Sequence, residues 1–280
     1  MTVSDMAQPA IHRTSKRRVA WHRTRWFDIG LFVSLMAGLL WLTVTGAQSM
    51  GYAWQWQKIP RYIYRVIDGE IVFGPLLKGL LVTLNLSWVS MVLAMAIGLV
   101  TALLRLSPSI VGRGLARAYI ELIRNTPMLI QILVIYFIIA KIFGISRFWS
   151  GVLCLALYEG AFAAEIIRGA IVAVPRGQME ASRSLGLSTY HTYRDVILPQ
   201  AVPLILPPMA GVLVNLVKHS AIVSVIAVFD LATEARTAIA DSFLAFEIWL
   251  VTAGMYLMIT ILLSLVASAL ERHYHLNHQR

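Results

Sequence analysis

A chain of 280 residues with 58% hydrophobic and only 14% charged residues is too poor in charge for a water-soluble domain, which runs at about a quarter charged. A net charge of +10 would suit a nucleic-acid binder, but in so apolar a chain it fits the basic cytoplasmic loops of a membrane protein better. A single cysteine, Cys154, excludes an internal disulfide, and no Gly-x-x-x-x-Gly-Lys-Ser/Thr loop offers a phosphate cradle.

Residues 1–28 are polar and basic, with Arg13, Lys16, Arg17, Arg18, Arg23 and Arg25. The uncharged run 29–47 is long enough for one span, which takes about 20 apolar residues. A signal peptide has the same order, basic then apolar, but the length of both parts favours a retained helix. Residues 48–74 read as an extracytoplasmic linker, with Tyr52, Trp54, Trp56 and Tyr62 as interfacial anchors. A second span covers 79–104, and Arg105, Arg113 and Arg117 then mark an inside loop. The third span is expected at 125–143 and the fourth at 148–172, joined by a short outside turn. A polar inside stretch precedes the fifth span at 202–229. Residues 230–241 form a mildly acidic outside segment with a short helix, 248–270 the sixth span, and 271–280 an inside tail. The proposed inside segments hold fourteen Lys and Arg against five outside, as the positive-inside bias requires. Both termini are thereby expected in the cytoplasm.

The polar stretch from Pro175 to Pro208 interrupts the apolar second half of the chain. Within it, 178–187 suits a short helix, punctuated by Pro175 and Gly177 at its start and Gly186 at its end. Glu180-Ala181-Ser182, Gly186 six residues after Glu180, and Ile197-Leu198-Pro199 resemble the EAA loop of ABC-importer permeases. Ser182 stands where the second Ala is usual. Besides Ala173-Val174-Pro175-Arg176-Gly177-Gln178, three flanking stretches are similar to the polar amino-acid branch of these permeases. They are Glu121-Leu122-Ile123-Arg124-Asn125-Thr126-Pro127, Gly160-Ala161-Phe162-Ala163-Ala164-Glu165-Ile166-Ile167-Arg168-Gly169, and Lys218-His219-Ser220-Ala221-Ile222-Val223-Ser224.

The resemblance implies an all-α polytopic membrane protein, with a type I permease core of five helices at 75–272 plus one extra N-terminal helix. It implies import of a polar or charged amino acid across a bacterial inner membrane. The implied partners are a second permease subunit, identical or related, a dimer of cytoplasmic ATP-binding subunits, and an extracytoplasmic substrate-binding protein. No cofactor is expected on this chain; ATP and Mg belong to the ATP-binding subunit, which alone does chemistry. The loop of Glu180, Ala181, Ser182, Gly186, Ile197, Leu198 and Pro199 is implied to carry motion from that subunit.

Charge inside hydrocarbon costs at least about 2.5–3.5 kcal/mol, so ionisable residues in spans face a cavity or a partner. Glu165 and Arg168, three apart on one helix face, are placed either to pair or to line a route. Glu159 has no basic partner in its own helix and calls for one elsewhere, or for a substrate ammonium. Lys218 and His219 are read as a carboxylate contact or an interhelical hydrogen-bonding site, with Ser220 beside them. His219 departs from the Asp or Asn usual in the family. Asn125 and Thr126 are expected to cap the third span, Pro127 to occupy its first turn, and Gln131 to share the face of Pro127. By resemblance this segment borders the central pathway. No hydrolytic triad or metal-ligand spacing stands out, and His273, His275 and His278 read as a solvated tail. The rival reading is a stand-alone secondary transporter relaying protons through Glu159, Glu165 and His219.

Overall fold

The structure, a computed structural model, describes residues 25–277. The readings placed on Arg13 to Arg23, on His278 and Arg280, and on the side chains of Arg25, His273 and His275 fall outside the described residues. The chain divides into two units, 1–54 and 55–280. The first contains α1 (Arg25–Ser49), the expected first span with added turns at both ends. It buries nothing in the window that qualifies it as a span. A helix apolar all round with no buried face is suited to lipid on every side.

The second unit opens with a single 3₁₀ turn (Trp56–Lys58), α2 (Pro60–Ile63) and a hairpin of β1 (Tyr64–Ile67) and β2 (Glu70–Phe73). This corrects the expectation of a plain linker. Asp68 and Gly69 both have positive φ, 53° and 82°, as a two-residue hairpin turn demands. The Asp-Gly pair between apolar alternations was the available signal.

The spanning helices follow. α3 (Pro75–Leu106) packs against α7 (Arg147–Ala173). Their closeness depends on small residues, the usual device where no water drives helices together. A Cβ placed on Gly98 would stand 2.7 Å from Ala163 Cβ, and one on Gly160 would stand 3.0 Å from Ile97 Cγ2.

Between α3 and α7 lies a broken unit. α4 (Ile110–Arg124) forms where a basic loop was expected, because its apolar positions recur on one face. α5 (Met128–Val134), a π-helical turn (Ile135–Ile139) and α6 (Ala140–Phe143) continue it after a bend of 108°. The expected third span at 125–143 is therefore corrected: its first residues are not helical. The helical part rises about 24 Å at 1.5 Å per residue, less than the roughly 30 Å of hydrocarbon.

α8 (Arg176–Ser184), α9 (Thr189–His191) and a π-helical turn (Thr192–Ile197) lead into α10 (Leu198–Val223). The short helix thus starts two residues before the expected 178 and stops at Ser184. α10 carries Pro203, Pro207 and Pro208 inside it and ends in a 3₁₀ turn (Ser224–Ile226). α11 (Leu231–Ser242) is a helix where a short one was expected, and α12 (Ala245–Asn277) is the last long apolar helix. Among the described residues, five helices are long and apolar enough to cross a membrane, or six if the bent unit counts as one.

Four apolar clusters hold the second unit together, one of them Ile120 of α4 against Ala161 and Ala164 of α7. Ala102, Ile167, Ile171 and Ile197 cluster beneath the polar loop. Leu86, Ile132, Leu155 and Leu216 form the middle, and Leu76, Leu80, Leu231 and Ile248 the far end. There Asp230 caps α11, accepting from Thr233 N at 2.9 Å, while Leu231 N donates to Thr83 Oγ1 of α3 at 3.1 Å. Burial pushes the Asp230 carboxyl above its ordinary pKa, against hydrogen bonds and the Arg236 charge. Gly98→Leu is expected to force α3 from α7 and cost about 1–3 kcal/mol, the range for overpacking. A lower melting temperature of the purified chain in detergent checks it; an unchanged one refutes the close contact.

Candidate functional site

α7, α10 and α12 border a cavity of about 470 Å³. Its lining includes Glu159 and Phe162 from α7, Gly211 and Asn215 from α10, and Ser264 and Ser268 from α12. α10 bends the rules of a helix here. Pro207 and Pro208 have no N–H to give the carbonyls of residues 203 and 204.

Glu159 is 2% exposed and accepts the His219 Nδ1 contact at 2.8 Å. The partner demanded by its burial comes from α10, sixty positions away. Tyr158 meets the His219 ring edge-on, with centroids 5.4 Å apart. One turn along, Phe162 takes the Arg124 guanidinium at 5.3 Å from its centroid. The wall of the cavity thus carries an acid and an aromatic ring, with the imidazole of His219 behind the acid.

Lys218 is exposed and borders a second cavity of about 210 Å³ with Thr260, Ser264 and Ser268. Ser264 and Ser268 line both cavities. An acid–imidazole pair and a lysine therefore flank one row of serines on α12. Ser220 lines neither: it is fully buried and donates to Val217 O at 2.8 Å.

Glu165 lies apart from these cavities. Its Oε2 holds Arg168 Nη2 at 3.0 Å, and its Oε1 holds Arg105 of α3. The Glu165–Arg168 pairing is the local one expected; Arg105, a span away, was not foreseen. The triad ties the ends of α3 and α7 that adjoin the polar loop.

Asn125, Thr126 and Gln131 belong to the break. Asn125 is the last cap of α4, with Nδ2 donating to Glu121 O at 2.8 Å and Glu121 Oε2 at 2.9 Å. Thr126 Oγ1 donates to Leu122 O at 2.7 Å. The two residues thus close α4 rather than open the third span, and Pro127 precedes α5 with ψ 132° instead of sitting in its first turn. Gln131 Nε2 then donates to Ile123 O and Thr126 O, both at 2.8 Å. A sharp bend frees carbonyls, and in a bilayer such groups need internal partners. None of the three lines either cavity.

The polar loop is ordered by its own hydrogen bonds. Leu187 N donates to Ser182 O at 3.1 Å and Gly186 N to Arg183 O at 3.0 Å. This double closure of a helix end requires a left-handed residue, and Gly186 supplies φ 76°. Ser182 is buried and Ile197 packs into the apolar layer below, so these two anchor the loop. Glu180, Ala181 and Pro199 remain exposed, and Leu198 is half-buried. Leu185 is 81% exposed and Tyr190 65% exposed, with Leu187 also exposed between them.

The architecture and loop define a subunit of a membrane transport machine. The sequence pattern of the binding-protein-dependent transport system inner membrane component matches residues 94–276, and the chain belongs to that family. It is a permease of an ATP-binding-cassette importer, a multi-pass protein of the inner membrane. It is 36% identical over 200 residues to the glutamine transport system permease protein of Escherichia coli strain K12, covering 70% of this chain and 91% of that protein. A solved amino acid ABC transporter with histidines is 38% identical, with a TM-score of 0.64 over 71% of this chain and 94% of that one. The inward-facing MetNI methionine ABC transporter shares the fold at 22% identity and a TM-score of 0.61.

Gln131→Ala is expected to loosen the bend by removing two hydrogen bonds, each worth about 1 kcal/mol net. Faster amide exchange over 123–131 checks this. Protection equal to the parent would show that the glutamine does not hold the break.

Proposed function

We propose that this chain carries a polar or charged amino acid across the membrane as one of two permease subunits. Substrate arrives from an extracytoplasmic binding protein, and two cytoplasmic ATP-binding subunits drive the cycle. ATP and Mg bind in those subunits; this chain performs no hydrolysis. The reading is carried by one observation: a hydrogen-bond-closed, anchored loop that displays Leu185 and Tyr190 to solvent. Exposed apolar residues on such a loop suit a protein partner. A secondary transporter has no use for this surface, so the proton-relay reading is not favoured.

Within that scheme Glu180, Ala181 and Pro199 face the ATP-binding subunit with Leu185. Gly186 keeps the helix end in shape, while Ser182 and Ile197 pass force to α7 and α10. Biased binding of the outward- and inward-open states supplies the coupling. The names of the relatives, glutamine and amino acid transport, support an amino-acid substrate. So does the chemistry of the cavities. A zwitterion needs an anion for its ammonium and a donor for its carboxylate, since unpaired charge is costly in the membrane. Glu159 offers the first; Lys218, His219 and Asn215 offer the second. Glu165, Asn125, Thr126, Gln131 and Ser220 act on the route as supports.

Gly186→Trp is expected to abolish ATP-driven uptake with normal membrane insertion, because a bulky residue at φ 76° breaks the loop. Uptake at the parental rate refutes the coupling role, and ATP-free uptake driven by a proton gradient would restore the rival. Glu159→Gln is expected to lower uptake per inserted complex and to change the relative rates for arginine, glutamine and glutamate. Unchanged ratios remove Glu159 from substrate contact. In a Cys154→Ser background, Ser188→Cys is expected to resist an impermeant reagent applied outside, while Ser49→Cys reacts; the reverse pattern inverts the orientation.

A further inference from the structure

The hairpin before α3 has two unlike faces. In its register Tyr64 pairs with Phe73 and Val66 with Ile71, so these four apolar side chains share one face. All four are exposed, from 48% for Phe73 to 69% for Ile71. The other face holds Arg65, Val72, Ile67 and Glu70, two of them charged. A two-stranded ribbon is marginal in water by itself, and an apolar face on it needs cover.

Its position decides what the cover is. Gly74 N donates to Ile63 O at 2.7 Å, and a Cβ on Gly74 would stand 2.4 Å from Tyr62 O. No side chain fits there, so α2, the base of the hairpin and the first turn of α3 form one tight junction. The uncharged run 79–104 of α3 rises about 39 Å, close to the roughly 40–45 Å of a bilayer with its headgroups. Gly74, five residues further out, therefore stands at the rim of the headgroup layer. A strand of four residues reaches about 13 Å, enough to lie back across that layer. Aromatic residues concentrate at this depth, and Tyr64 and Phe73 sit at the end of the hairpin nearest α3. Arg61 and Arg65 stand beside them, with Arg65 Nε donating to Arg61 O at 3.1 Å. Guanidinium groups at that level can meet lipid phosphates.

We propose that the hairpin is a membrane-surface element whose Tyr64, Val66, Ile71 and Phe73 face enters the headgroup layer beside α3. It rests on α3 crossing the bilayer and not on which substrate is carried. Sunk there, the face is shielded from water while Arg65 and Glu70 stay wet.

The test uses the full chain with Cys154→Ser in nanodiscs of phosphatidylcholine and phosphatidylglycerol. Nitroxides are attached at Ile71→Cys and, separately, at Val72→Cys. Power saturation with oxygen and with a water-soluble nickel chelate reads the depth of each. The expected result is oxygen-dominated relaxation at position 71 and nickel-dominated relaxation at position 72. Val66→Cys, expected to match position 71, keeps the test open if the first label disturbs folding. Equal nickel access at positions 71 and 72 overturns the proposal. Spin–spin broadening between copies at position 71 also overturns it, making the face a subunit contact.

Discussion

A charge inside hydrocarbon has to find a partner, and in this chain the partner comes from another helix. Glu159 of α7 is met by His219 of α10, and Glu165 of α7 by Arg105 of α3. Both pairs join residues sixty positions apart. Leaving the buried Glu159 carboxylate unpaired would cost at least the roughly 2.5–3.5 kcal/mol that insertion scales give. The pairs therefore set which faces of α3, α7 and α10 meet. Once those faces meet, Gly98 and Gly160 allow the backbones to approach, and the apolar layers fill in around them.

The same constraint acts on the backbone. A bilayer offers no water to a free carbonyl, so each interruption of a helix must carry its own donors. The bend after α4 shows how this is met: Thr126 and Gln131 supply side-chain O–H and N–H groups to the carbonyls of Leu122, Ile123 and Thr126. The end of α8, in the polar loop, closes through backbone bonds at Gly186 together with Ser184 Oγ donating to Glu180 O. The two solutions suit their places. The bend is held by side chains from several turns and so is tied to the core. The loop closes on itself and keeps its outer surface available.

Glu159, His219 and Lys218 come together by a different route. Glu159 lies on α7, Lys218 and His219 are adjacent on α10, and the serines come from a third helix, α12. Pro208 and Gly211 of α10 border the space on that helix, and polar groups of α7, α10 and α12 line it. Glu165 is held by Arg105 and Arg168, and the Gln131 amide N–H groups by Ile123 O and Thr126 O, away from both cavities.

By itself the sequence determined the membrane class, the approximate limits of most spans and the short helix of the polar loop. Each of these is a local property. Apolar run length, the bias of Arg and Lys between segments, and the Gly186 stop act over at most a few turns. The Glu165–Arg168 pair was legible for the same reason, three positions apart on one helix. Only the tertiary structure decided the partners of Glu159 and Glu165, the roles of Asn125 and Thr126 as the end of α4, and the row of serines shared by two cavities. It also turned an expected linker into a hairpin and an expected loop into α4. In α4 the apolar face was written in the residues, but three arginines concealed it, and only a neighbour to bury Ala116 and Ile120 makes that face a helix in the fold. Periodicity speaks for one element at a time. Which faces meet depends on where unpaired charge and unmet backbone groups can be satisfied, and those partners lie a whole span away.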